Sequence, residues 1–180
     1  MRQARLKATA DDPVCYYHCL SRVVDRRFVL GDLEKEQFVA WLRYYEGFCG
    51  VRVITFCVMS NHSHTLLEVS QRPTVLPSDE ELLAMLERGY SKGFAQTIRQ
   101  RLEMLAEDER LVLLESFFAR MLDVSAFMKL LKQRFTQWFN RQQDRKGTLW
   151  EERFKSVLVD GAGDILATIS LHSQKAHPFR

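Results

Sequence analysis

The hydrophobic positions of this chain change period several times, and each change marks an element. From Val14 to Val24, "VCYYHCLSRVV" crowds β-branched and aromatic residues into a run that predicts a strand. Phe28–Leu30, between "DRR" and "LGD", predicts a short second extended piece. The period then lengthens. In "DLEKEQFVAWLRYYEGF", residues Leu33, Phe38, Trp41, Leu42 and Tyr45 recur at helical spacing, with Asp32 placed to cap the start and Gly47 and Gly50 to close the end. "VRVITFCVM" (Val51–Met59) returns to strand, Ser60-Asn61 signals a turn or bulge, and "HTLLEV" (His64–Val69) continues extended.

The order strand, helix, strand, strand predicts an α+β fold: a ferredoxin-like split βαβ with a central antiparallel sheet, which one more helix and strand complete. Before they come, residues from about 73 to 122 read as a helical insertion. Ser78 and Glu81 form a capping box there after Pro77, and helix propensity lapses around Gly89–Gly93. A long helix over Val124–Gln142 carries Phe127, Leu130, Leu131, Phe135, Trp138 and Phe139 on one broad face, with Lys132, Arg134 and Arg141 expected off it. "DRKGT" is a turn, "LWEERFKSVLV" (Leu149–Val159) predicts the closing strand, and "GDILATISL" opens a last helix. Residues 1–180 read as a single domain.

Composition narrows the function classes. Hydrophobic residues make up 46% and charged residues 27%, the balance of a globular domain, and no apolar run approaches the roughly 20 residues of a membrane span. "MRQARLKATADDP" is basic but has no apolar segment behind it, so it predicts no secretory signal, and a cytoplasmic protein without membrane contact is expected. Cysteines 15, 19, 49 and 57 form no CxxC pair and predict buried thiols. The net charge of +3 says less than its distribution: Ala126–Ser156 holds eight Lys and Arg against three acids. Such a surface suits phosphates.

Two segments carry candidate chemistry. In "FCVMSNHSHTLLEV" (Phe56–Val69), His62 and His64 are two residues apart, so on a strand both project to one face and can grip one ion or one anionic group. Ordinary structural histidines are the alternative, and both readings are open from spacing alone. In "RFTQWFNRQQDRKGTLWEERFKS", aromatics interleave with Arg and Lys; Arg153 and Lys155 flank Phe154 on a segment able to present cations to a nucleic-acid backbone. Candidate DNA-contacting residues are Lys132, Arg134, Arg141, Arg145, Arg153 and Lys155.

"YYHCLSRVVDRRFVL", "FCVMSNHSHTLLEV" and "LKQRFTQWFNRQQDRKGTLWEERFKSVLV" together resemble the successive signatures of HUH single-tyrosine transposases, most nearly the REP-associated branch related to the smallest bacterial insertion sequences. The resemblance spans about Val14–Val69 and Phe127–Ala167. It implies a HUH endonuclease fold, DNA transposition or repeat processing, single-stranded or hairpin DNA as partner, and a homodimer as an open option. It also implies Mg²⁺ or Mn²⁺ held by His62 and His64, and a tyrosine on the last helix that attacks a DNA phosphate to leave a 5′-phosphotyrosine. The chain departs from that pattern twice. Ser63 stands where a bulky apolar residue is usual. The last helix, "LATISLHSQKAHPFR", lacks the pattern Tyr-Ile-x-Leu-Asn-Pro, and no tyrosine follows Tyr90, so the catalytic residue is unassigned. The resulting expectation is a transposase-like DNA-binding protein without its nucleophile. Alternatives are a domesticated, non-catalytic DNA- or RNA-binding module and a hydrolase using His62, His64 and water.

Overall fold

The alternation in Val14–Arg22 makes it strand β1, and three more strands, Arg52–Val58 (β2), His62–Ser70 (β3) and Lys155–Val159 (β4), join it in one sheet. Their order is β2-β3-β1-β4, every neighbouring pair antiparallel. Helix α1 (Asp32–Cys49) links β1 to β2, and a tight turn at Ser60-Asn61, closed by Met59 N donating to His62 O at 2.8 Å, links β2 to β3. Between β3 and β4 come α2 (Asp79–Gly89), α3 (Lys92–Met104), α4 (Glu107–Phe118) and α5 (Val124–Gln142). Helix α6 (Ala162–Lys175) follows β4. This is the expected ferredoxin-like α+β sheet, in a computed structural model that describes residues 13–159 and 162–175. The basic start of the chain lies outside the described residues.

The two faces of the sheet do different work. One carries Cys19, Val53, Leu67 and Val69, which pack with Phe38, Leu42 and Phe48 of α1 and Phe127, Leu131 and Phe135 of α5. Phe38 is fully buried, with ring centroids 5.3 Å from Phe135 and 6.2 Å from Trp150. Truncating such a residue to alanine costs about 3–5 kcal/mol. Helix α1 stops at Gly50, whose φ of +64° supplies the left-handed residue that ends the helix. All four cysteines are buried thiols.

Four local expectations need correction. Gly31, not Asp32, caps α1: its N–H donates to Glu34 Oε2 at 3.0 Å, and Asp32 begins the helix. Phe28–Leu30 stays out of the sheet; only Leu30 N reaches across, to Ser60 O at 2.9 Å. The final strand starts at Lys155 rather than Leu149, because Trp150 turns aside to form an isolated bridge with Val23. Lys132 lies within the apolar face of α5, not off it. It is buried, its ammonium donates to Glu152 O at 2.8 Å, and it lies 5.2 Å from the Trp150 ring centroid.

Candidate functional site

Residues directly opposite on antiparallel strands share a face. The pairs Leu20↔His64, Arg22↔His62 and His18↔Leu66 between β1 and β3 therefore put His18, His62 and His64 on the face away from α1 and α5. Their neighbours Ser63, Thr65 and Leu67 point into the core and are buried, as the alternation requires. His62 and His64 do stand side by side, ring centroids 5.1 Å apart.

Helix α6 packs over β2 and β3 on this same face and brings a fourth histidine. His18 Nε2 lies 3.0 Å from His64 Nδ1 and 3.4 Å from His172 Nε2. One ring nitrogen from each of the three lies within 4.8 Å of the others, the arrangement of a possible metal-binding triad. His62 sits at its edge, and its Nδ1 donates to Asn61 Oδ1 at 2.6 Å. Asn61 is itself anchored through Nδ2 to Arg26 O at 3.1 Å. His172 is 2% exposed, whereas His18 and His64 are half-buried.

Does this donor set suit Mg²⁺ or Mn²⁺? Hard divalent ions prefer oxygen ligands, and Mg²⁺ demands them almost exclusively. Glu68 shares the face, but four residues along β3 from His64 is about 13 Å of strand. Its carboxylate accepts the Tyr16 phenol and pairs with Arg52 at 3.2 Å. An all-imidazole triad fits Mg²⁺ poorly.

The basic candidates do not form one patch. Lys155 is exposed and opposite Leu20, which is opposite His64, so it shares the histidine face two strands away, about 10 Å by strand spacing. Arg153 lines a pocket of about 650 Å³ with Lys129, Lys132, Trp150 and Phe154, between the start of α5 and the approach to β4. Arg134 lies over the Trp41 ring at 4.9 Å, on the α1 side. Arg141 and Arg145 stand at the far end of α5, the latter donating to Thr148 O at 2.8 Å; nine residues of helix, about 14 Å, separate Arg141 from Lys132. The candidates drawn from the sequence left out Arg22, opposite His62 on the histidine face, and Lys129 in the pocket, although Lys129 was in the local charge count.

The tyrosines are dispersed. Among the described residues Tyr16 is the one placed on the histidine face, opposite Glu68. Tyr17 packs toward the core, Tyr44 and Tyr45 join Trp41 on α1, and Tyr90 packs on Phe48 and Phe94. Partial burial, and then the Glu68 carboxylate, push the Tyr16 phenol above its ordinary pKa. On α6, Thr168 donates its hydroxyl to Asp164 O at 2.9 Å.

This sheet, with its histidine face and capping last helix, is the frame of a tyrosine transposase. The structure of a REP-associated tyrosine transposase bound to a REP hairpin superposes over 94% of this chain and 70% of its own, with TM-score 0.52 at 9% identity, which shows the shared fold. A candidate transposase from Deinococcus radiodurans R1, solved at 1.90 Å, aligns over 98% of this chain and 100% of its own, at 16% identity and TM-score 0.46. Residues 13–108 match the family model described as "Transposase IS200 like", more than half of the 180 residues. The chain belongs to the IS200-like transposase family. No curated protein sequence matches it. Among the described residues, no helix is long and apolar enough to cross a membrane.

Proposed function

We infer that this protein binds single-stranded or hairpin DNA along the open β1–β4 side of the histidine face and does not itself form a phosphotyrosine link. The observation that carries the reading is the row Lys155–Leu20–His64 across the sheet, which aligns an exposed cation with the histidine cluster. Val157, on the same face opposite His18, is 63% exposed, so α6 leaves this strip uncovered. Arg153 and Lys129 extend the basic surface around the start of α5, beside an aromatic-walled pocket able to receive an unstacked base. The hairpin bound by the structurally similar REP-associated protein points to the same class of partner. In that reading, Lys155, Arg153 and Lys129 supply the phosphate contacts on this strip, Arg134, Arg141 and Arg145 lie away from it, and Lys132 holds the segment before β4 in place.

The resemblance implies cutting and rejoining of DNA through a tyrosine and a divalent ion such as Mg²⁺ or Mn²⁺, which in this chain His62 and His64 would hold. Here α6 presents His172 to the sheet, and the donor set disfavours Mg²⁺. Binding needs neither. A non-catalytic binder of hairpin nucleic acid therefore accounts for the residues better than an active recombinase or a water-using hydrolase, whose carboxylate candidate Glu68 is already engaged. The test is fluorescence anisotropy with a labelled single strand bearing a hairpin, the matched duplex and the corresponding RNA, all in chelator. Preference for the DNA hairpin or single strand supports the reading. Equal binding to duplex would sink it, and preference for RNA would redirect it to the RNA-binding alternative.

A further inference from the structure

We propose that His18, His64 and His172 form a transition-metal centre that takes a borderline ion such as Zn²⁺ or Co²⁺ in preference to Mg²⁺, and that its occupancy fixes α6 against the sheet. The geometry comes first. Zinc–imidazole bonds of about 2.0–2.1 Å place two nitrogens of a tetrahedral site about 3.3 Å apart. The two contacts made by His18 Nε2, 3.0 Å to His64 and 3.4 Å to His172, bracket that spacing and share one vertex. The third pair, His64 and His172, completes the triangle with its nitrogens within 4.8 Å, so the rings close in when they surround an ion. The chemistry agrees. Neutral imidazole is a borderline ligand that suits zinc, cobalt, nickel and copper, whereas Mg²⁺ seeks carboxylate, phosphate or water oxygens.

The set differs from the pair that sequence spacing suggested. His62 shares the face, but the three nitrogens that converge come from three elements, β1, β3 and α6. His62 lies outside that convergence, and its Nδ1 donates to Asn61 Oδ1, which is itself anchored on Arg26 O. Three protein ligands leave a fourth tetrahedral position, open to water or an anion. Because one ligand is on α6 and two are on the sheet, an ion there is also a cross-link: it ties the last helix to β1 and β3.

The alternative is a metal-free chain of hydrogen-bonded imidazoles, and one titration separates the two. Metal-stripped full-length protein is titrated with Co²⁺ without DNA, following the visible d–d absorption. The expected result is saturation at one equivalent, with bands displaced by Zn²⁺ and unaffected by excess Mg²⁺. His18→Ala and His172→Ala should each weaken binding by about 100-fold or more, since losing a neighbour of a ligand alone costs 10–100-fold; His62→Ala should change it by less than about 10-fold. Circular dichroism verifies that each variant is folded. For a variant that is not, the wild type still decides: Zn²⁺ should slow hydrogen exchange in α6. Three outcomes overturn the proposal: no Co²⁺ binding, binding lost in His62→Ala and kept in His18→Ala, or unchanged exchange in α6. None depends on DNA, so the nucleic-acid reading can fail or hold independently.

Discussion

Tyr16 and Glu68 face each other across β1 and β3, and the phenol donates to the carboxylate. This places the one tyrosine of the histidine face, among the described residues, beside a negative charge that holds its proton on. A nucleophilic phenol needs the opposite environment, one that favours phenolate. We therefore predict no covalent adduct when the protein is incubated with labelled hairpin-bearing single strands and Mg²⁺ or Mn²⁺, read by denaturing electrophoresis. A protease-sensitive shifted band that disappears in Tyr16→Phe would show that the phenol is active after all.

Salt dependence reports how many phosphates are met. If about four are neutralised on a single strand, log K should fall with log salt at a slope near −3. Lys155 is paired with Glu152 at 2.9 Å, but both are solvent-exposed, and such a pair exchanges readily for a phosphate. Replacing Arg153 and Lys155 together with alanine should flatten the slope by about one to two. An unchanged slope removes this segment from the interface.

Lys132 should behave differently. Its ammonium is inside the fold, and removing it leaves the Glu152 carbonyl without that donor. Lys132→Ala is expected to lower stability by about 1–3 kcal/mol with the salt slope of DNA binding intact. Urea denaturation and anisotropy on the same preparation decide it; a flattened slope with undiminished stability contradicts the assignment.

Ser63 is 1% exposed, on the core side of β3, and its hydroxyl has no hydrogen-bond partner among the described residues. Ser21, directly opposite on β1, is in the same position. A buried hydroxyl without a partner costs about 1–3 kcal/mol. Ser63→Ala removes the polar atom without adding volume, so the urea midpoint should rise, with a stability gain of up to about 1 kcal/mol. A fall would mean that the hydroxyl is satisfied in solution.

Alkaline stability follows from two buried groups. Burial, reinforced by Asp123, pushes the Cys49 thiol from 9.0 up to about 12, and burial likewise raises the Tyr45 phenol from 10.0 to about 12. Each keeps its proton in the folded state where the unfolded chain has begun to lose it. Unfolding then releases protons, so the contribution is intact below about pH 9 and declines as pH rises from there towards 12. Cys49→Ala should delay the onset of that decline to about pH 10, measured by urea midpoints across the range. A decline that starts at the same pH in both proteins would rule out the thiol as its source.

Much of the frame was legible because it is local. Period-two alternation located β1, β2 and β3, and helical spacing located α1 and α5, since those signals are carried by neighbours in sequence. His62 and His64 were found the same way. His18 and His172 were not, although His18 alternates with Tyr16 and Leu20 on one face. What joins them is the register of β1 on β3 and the docking of α6, and no spacing rule encodes either. Lys132 shows a different failure. It stands four residues after Met128 and three before Phe135, within the apolar stripe, but counting it as a charge concealed that position.

His18 and His172 are separated by 154 residues of chain. On a ribosome, β1 emerges long before α6, the helix that packs over β2 and β3 and brings His172 to His18. For that interval the histidine face is open, its buried residues Cys57 and Leu66 uncovered. Contacts between such distant residues form late and slowly. The cluster is thus a mark of completion: only a molecule that has paired β1 with β3 and docked its last helix brings those rings together.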